Sequence, residues 1–230
     1  MKMPLIFGHR GSSKREPENT MRAIQAAIKE GADGVEFDVR ITKDREIVII
    51  HDAMVNRTSN SQGRVKNFNY SELLVFDFGK GEKIPLLKDV LEKYGNKYWL
   101  NIEIKETGFE GELVEMLREL KITEKVVISS FKKIALKTIA KLTSDIPLAY
   151  LFNKPMNNFT KLQKLNFTSI HPGKLLVNKQ LMKAAGNANL KVRVWTVDDF
   201  KEAKRLAKLG VDGIITNDPQ GVIQALRTKK

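Results

Sequence analysis

The chain contains no cysteine. That excludes disulfides, thiolate metal sites and cysteine nucleophiles, and it fits an intracellular protein. No run of about 18 apolar residues occurs, so the sequence predicts no membrane-spanning helix. Leu5-Ile6-Phe7 is too short for the apolar segment of an export signal and runs straight into His9-Arg10-Gly11, so a cytoplasmic location is expected. Histidine is scarce, at 3 in 230 residues. The net charge is +13, yet no basic block occurs beyond Lys229-Lys230 and no aromatic–basic RNA-binding pattern is present. The excess reads as a solvated, lysine-rich surface that attracts anionic small molecules, with no nucleic-acid partner. Nothing in the sequence indicates an oligomeric state.

An apolar share of 42% supports a proper core, and 230 residues suit a single domain over 1–230. Short β-branched runs alternate with amphipathic stretches. The strand candidates are Leu5–Gly8, Gly34–Val39, Ile47–Ile50, Trp99–Ile104, Val126–Ser129, Leu148–Leu151, Thr168–His171, Val192–Thr196 and Gly213–Thr216. Helical stripes lie between most of them: Met21, Ile24, Ala27 and Ile28 before Gly31, and Phe200, Ala203, Leu206 and Ala207 before Gly210. Gly31-Ala-Asp-Gly-Val-Glu is echoed by Gly210-Val-Asp-Gly-Ile-Ile, which suggests a repeated helix–turn–strand unit. The pattern predicts an α/β fold, a TIM (β/α)₈ barrel, with a doubly wound sheet as the structural alternative.

Nine strands are one too many for that barrel. Between Val39 and Ile47 there is no room for a helix, and Lys43-Asp44-Arg45-Glu46 reads as a hairpin turn. The extra strand is therefore an antiparallel return that places His51 roughly opposite Asp38. Residues 52–85 lack a long period and carry Gly63, Gly79, Gly81 and Pro85; they read as a loop excursion over the barrel mouth.

Three fragments carry the chemistry, each at or just past the end of an apolar run: His9-Arg10-Gly11; Glu36-Phe37-Asp38 with His51-Asp52; and Glu103-Ile104-Lys105. Acids at spacing two on a strand face the same way. Imidazoles, phosphate-gripping cations and metal-gripping carboxylates together point to a metal-assisted phosphodiesterase.

The order His9-Arg10-Gly11, Pro17-Glu18-Asn19-Thr20, Gly31-Ala32-Asp33, Glu36-x-Asp38-Val39, His51-Asp52, Ile84-Pro85, Glu103-Ile104-Lys105, Trp195-Thr196-Val197 and Asp212-Gly213-Ile214-Ile215-Thr216 resembles the glycerophosphodiester phosphodiesterase family, over nearly the whole chain. The resemblance implies a TIM barrel, hydrolysis of glycerophosphodiesters to glycerol 3-phosphate and an alcohol, and one divalent cation held by Glu36, Asp38 and Glu103. It also implies that His9 and His51 share acid and base catalysis. An all-carboxylate set suits a hard ion, Mg²⁺ or Ca²⁺. Arg10 and Lys105 are the expected phosphate-binding cations, and Trp195 the expected apolar wall for the glycerol carbons. Glu18 and Asn19 correspond to the family's Glu-Asn pair, which the resemblance places near Arg10, while Asn19 or Thr20 reads equally as a helix N-cap, the reading favoured for both. Asp218-Pro219 reads as another helix start. His171 and Trp99 read as structural residues, Phe131 is left off the site, and Arg193 needs an acidic partner. A lysophospholipid or cyclic phosphodiester hydrolase on the same scaffold is the alternative; a silent binder of phosphate metabolites would have lost one of these acids or histidines.

Overall fold

Alternation along one strand accounts for most of the architecture. In β2 (Gly34–Ile41), Val35, Phe37 and Val39 are fully buried against the surrounding helices, while Glu36 and Asp38 face the opposite way. Burying one such apolar side chain contributes about 1.5–3 kcal/mol, so a register slip by one residue would exchange a hydrophobic layer for two carboxylates.

The structure, a computed structural model, describes residues 3–156, 158–163, 165 and 167–228. Its elements run β1 (Leu5–His9), α1 (Met21–Lys29), β2, β3 (Ile47–Ile49), α2 (Tyr70–Leu73), α3 (Leu87–Tyr94), β4 (Trp99–Ile104), α4 (Glu110–Glu119), β5 (Val126–Ser130), α5 (Lys133–Leu142), β6 (Leu148–Phe152), α6 (Thr160–Gln163), β7 (Phe167–Pro172), α7 (Lys179–Asn187), β8 (Lys191–Val194), α8 (Phe200–Leu209), β9 (Gly213–Thr216) and α9 (Pro219–Arg227). Strands β1, β2, β4, β5, β6, β7, β8 and β9 pair in parallel in that order, and β9 closes back onto β1. This is the expected closed (β/α)₈ barrel, and no open doubly wound sheet is formed. Among the described residues no helix is long and apolar enough to cross a membrane.

The ninth strand lies outside the ring. β3 pairs antiparallel with β2, Val39 opposite Ile49, across the turn expected at 43–46. Arg45 takes a positive φ of 69° there, and the Thr42 hydroxyl donates to Asp44 at 2.6 Å. The Ile50 amide donates to the Asp38 carbonyl at 2.9 Å, which delivers His51 beside the acids of β2. Residues 52–85 then form the excursion. Its side chains Val55, Val65, Leu73, Phe78 and Ile84 pack with Val48 and Ile50 into a small core of their own.

The repeated glycine–aspartate segments do the same job twice. Gly31 and Gly210 end α1 and α8 at φ of 89° and 81°. Two residues later Asp33 accepts from the Ile6 amide at 2.7 Å, and Asp212 from the Val192 amide at 2.9 Å. Each carboxylate thus ties the start of its own strand to the start of a neighbour. β8 is shorter than the run Val192–Thr196 suggests. Trp195 and Thr196 lie past its end, where Trp195 keeps only a bridge to Gly173.

Candidate active site

All three fragments meet at the C-terminal ends of the ring strands, where barrels of this kind place their chemistry. A cavity of about 460 Å³, its open mouth included, is lined by His9, Arg10, Glu36, His51, Asn101, Glu103, Lys105, Phe131, Leu151, Trp195, Thr196 and Ile215. Seven of the eight residues singled out for the site therefore line it. The eighth, Asp38, lies just behind with no exposure.

The local chain conformation at His9-Arg10-Gly11 is forced. Arg10 adopts φ 57° and its amide donates to the Glu36 carbonyl at 2.8 Å and to Glu36 Oε2 at 3.0 Å. A positive φ at arginine is uncommon, and here the two contacts to Glu36 hold it. Gly11 follows at φ 85°, and a Cβ there would sit 2.4 Å from the α1 backbone at Ala23. Only glycine lets the turn press against α1.

Glu36, Asp38 and Glu103 offer carboxylate oxygens that lie within 4.8 Å of one another. Burial, then the neighbouring charge of Asp38, pushes both Glu36 and Glu103 above the usual carboxylate range. Lys105 Nζ sits 2.6 Å from Glu103 Oε1 and 3.4 Å from Asp38 Oδ1, and Arg10 Nε is 3.2 Å from Asp38 Oδ2. Asp38 Oδ1 is nonetheless buried without an aligned hydrogen bond. Two cations thus only partly neutralise three clustered acids, which is costly without a further positive charge.

Each of the two histidines has one nitrogen engaged outside the cluster. His9 Nδ1 is 2.7 Å from Asn217 Oδ1. The amide orientation is set because Asn217 Nδ2 donates to Asp198 Oδ2 at 2.6 Å, so the oxygen faces His9 and Nδ1 carries the proton. His9 Nε2 is left toward the acids, 3.9 Å from Glu36 Oε2. Burial, then the charge of Arg10, lowers the His9 pKa. His51 Nδ1 is 2.6 Å from Asp52 Oδ1. Burial lowers its pKa too, opposed by the carboxylates of Asp38 and Asp52. The His51 carbonyl is held by Arg40 Nε at 2.9 Å, and Arg40 in turn by Glu106.

Several residues differ from their reading in the sequence. Thr20 caps α1, but Asn19 does not: at φ 59° its amide turns inward and donates to Asp38 Oδ2 at 2.9 Å. Phe131, left off the site, lines the cavity edge-on to Trp195, with ring centroids 5.3 Å apart. Trp195 is oriented by its indole N–H donating to the His171 carbonyl at 2.8 Å. His171 is fully buried beneath it and does not line the cavity, in keeping with a structural role. Arg193 has no carboxylate within ion-pair distance among the described residues. Its guanidinium sits 5.0 Å from the ring centroid of Trp99 and 5.4 Å from that of Phe7, so two aromatic faces flank it, and the charge of Asp212 acts on it from beyond ion-pair distance. Burial lowers its pKa to about 10. Asn217, Asn101 and Arg57 were not singled out. Asn217 directly follows β9, the position that marks the other site residues, and that was the one signal available for it.

The family model for the glycerophosphoryl diester phosphodiesterase family matches residues 9–221. A glycerophosphodiester phosphodiesterase of Caldanaerobacter subterraneus is 37% identical, covering 97% of this chain and 98% of its own. One from Bacillus altitudinis is 34% identical over 96% of this chain and 98% of its own. The solved structure of an Oleispira antarctica phosphodiesterase in complex with the product sn-glycerol-3-phosphate is 28% identical, with a TM-score of 0.90 over 98% of both chains. This closed barrel, matched along almost its whole length, belongs to the glycerophosphoryl diester phosphodiesterase family.

Proposed function

We propose that this protein hydrolyses glycerophosphodiesters to glycerol 3-phosphate and an alcohol, with His9 as general base and His51 as general acid. One observation carries the reading. Both imidazoles have Nδ1 committed to a partner and Nε2 left for the cavity that holds the cations and the acids.

The partners differ in charge, and that favours different protonation states. At His9, burial and then the charge of Arg10 favour the uncharged ring with a lone pair on Nε2. At His51 burial acts the same way, but the ionised Asp52 on Nδ1 opposes it and favours the imidazolium there more than a neutral partner would. In this scheme the attacking hydroxyl, whether the glycerol's own or water, loses its proton to His9 Nε2, and His51 Nε2 protonates the oxygen of the departing alcohol as its bond to phosphorus breaks. Attack by water gives glycerol 3-phosphate at once; attack by the glycerol's own hydroxyl gives a cyclic glycerol phosphate, whose ring P–O bond water then breaks in a second step, with the proton-accepting and proton-donating roles exchanged. Arg10 and Lys105 hold the phosphate and stabilise its charge. Trp195 and Phe131 offer the apolar side of the cavity to the glycerol carbons.

Glu36, Asp38 and Glu103 fit one hard divalent cation, Mg²⁺ or Ca²⁺. They are all oxygen donors, they are clustered and incompletely neutralised, and one oxygen lacks a hydrogen bond. When bound, such an ion polarises a phosphoryl oxygen and offsets developing charge. Asn19 and Lys105 keep Asp38 and Glu103 in place for it.

The test is direct. The protein is incubated with glycerophosphocholine, glycerophosphoethanolamine or bis(p-nitrophenyl) phosphate and with Mg²⁺ or Ca²⁺, and release of glycerol 3-phosphate or nitrophenol is followed. No glycerol 3-phosphate from either glycerophosphodiester with either ion would refute the activity. His9→Ala and His51→Ala should each lose about 10²–10⁴ in turnover of the choline ester. With the nitrophenol ester, whose leaving group needs no acid, His51→Ala should recover part of the loss and His9→Ala should not. The opposite pattern would exchange the two roles.

A further inference from the structure

Arg57 does not line the cavity, yet through two carboxylates its guanidinium is joined to His51 and Arg10, which do. Nε and Nη2 donate to Asp52, at 2.7 Å to Oδ2 and 3.3 Å to Oδ1. Nη1 and Nη2 donate to Glu18, at 2.8 Å to Oε2 and 2.8 Å to Oε1. Each carboxylate has a second task. Asp52 Oδ1 lies 2.6 Å from His51 Nδ1, and Glu18 Oε1 accepts from Arg10 Nη1 at 2.8 Å. The chain His51–Asp52–Arg57–Glu18–Arg10 is therefore continuous, with every link at hydrogen-bond distance.

We propose that Arg57 is a positioning residue that couples the orientation of His51 to that of Arg10. The inference rests on the roles given to those two residues above. A single exposed ion pair contributes little, but a bidentate arginine within a network of several charges is the exception. The geometry also requires a guanidinium. Only a planar fork with donors on separate edges can grip two carboxylates side by side, and a lysine ammonium cannot hold both in plane.

The backbone beneath Arg57 is set to hold it. Val55 is fully buried in the small core of the excursion; its amide donates to the Gly63 carbonyl at 3.0 Å and its carbonyl accepts from the Ser59 amide at 3.0 Å. Arg57 thus projects from a packed turn toward the barrel. Two acids that would otherwise repel one another share it, and the Glu18 pKa is held down to about 2 by Arg57 and Arg10 against the effect of burial. Removing the guanidinium frees both carboxylates to rotate, and with them the imidazole and the phosphate-binding guanidinium they hold.

The experiment compares Arg57→Ala and Arg57→Lys with wild type, His51→Ala and Arg10→Ala, using glycerophosphocholine with saturating Mg²⁺ or Ca²⁺. Misplacing a reacting group by about 1 Å can cost about 10²-fold, so kcat in both Arg57 variants should fall by about that factor, Arg57→Lys no better than Arg57→Ala. Guanidinium ion at non-denaturing concentration should restore part of the loss in Arg57→Ala and none in His51→Ala. In proton NMR, the His51 Nδ1 proton should exchange faster in Arg57→Ala while the His9 proton is unchanged, a readout that does not depend on activity. The coupling is overturned if Arg57→Lys turns over like wild type, or if the His51 signal is unaffected, while His51→Ala and Arg10→Ala are impaired. If those two variants are themselves unimpaired, the roles beneath the proposal fall instead. Arg57→Lys keeps the stem and charge, so the comparison survives should Arg57→Ala fail to fold.

Discussion

Asn217→Ala removes the acceptor from His9 Nδ1 and should slow the enzyme while leaving it folded. In the native structure Asn217 Oδ1 receives two donors, His9 Nδ1 and the Ser13 hydroxyl at 2.8 Å. Its own amide is locked by Asp198, which accepts from both Nδ2 and the Asn217 backbone N–H. Without that oxygen, the His9 ring either leaves Nδ1–H unpaired or moves its proton to Nε2, where it blocks the lone pair a base needs. An unsatisfied buried donor costs about 1–3 kcal/mol. At about 1.4 kcal/mol for each factor of ten, that is a loss of roughly 5- to 150-fold. It should fall on kcat, because Asn217 is placed to hold the ring and not the phosphate. The assay is steady-state release of glycerol 3-phosphate, with thermal unfolding as a check that the barrel is intact. Wild-type kcat in Asn217→Ala, beside a His9→Ala enzyme that has lost turnover, would refute the orienting role.

Chelation should abolish activity, with Mg²⁺ or Ca²⁺ restoring it, and either ion should raise the melting temperature of wild type but not of Glu36→Gln or Glu103→Gln; full turnover in excess EDTA would sink the three-carboxylate site. Lys105→Ala and Arg10→Ala should each lose about 10²–10³ in rate, as is typical for removing one preorganised electrostatic contact, and unchanged kinetics in both would place the phosphate elsewhere. Acid should unfold the protein partly through Glu18. Its folded pKa of about 2 lies below the ordinary 4.5, so its contribution is present above 4.5 and is lost as the pH falls toward 2. Glu18→Gln should flatten the melting temperature over that window, and an identical profile would show that the pair does not matter to stability.

The strands and the first layer of the site were legible because their signals are local. Spacing two puts Glu36 with Asp38, and Glu103 with Lys105, on single faces of single strands. The short gap before Ile47 leaves room only for a hairpin, so even the strand outside the ring could be anticipated. What was missed depends on contacts that no local pattern encodes. Asn217 meets His9 across 208 residues. Arg57 sits in an aperiodic excursion, where nothing in its neighbours marks it as different from any surface arginine. Asn19 was read as a cap because asparagine before a helix usually is one; its positive φ turns the amide toward Asp38 instead. The acid expected for Arg193 acts only at a distance, from Asp212, and the close contacts come from Phe7 and Trp99, positions that look like ordinary core.

The pairing of β9 with β1 makes catalytic competence a late event in the life of the molecule. Most of the site, from His9 through Lys105, is encoded in the first half of the chain and leaves the ribosome early. The oxygen that orients His9 arrives only with residue 217, just past the strand that closes the ring. Joining points 208 residues apart costs about 4–5 kcal/mol in chain entropy from length alone, and contacts of such sequence separation form slowly. A nascent chain with β1 to β8 in place would carry buried-type acids and an open strand edge without the oxygen that holds His9. It would be sticky before it could be active.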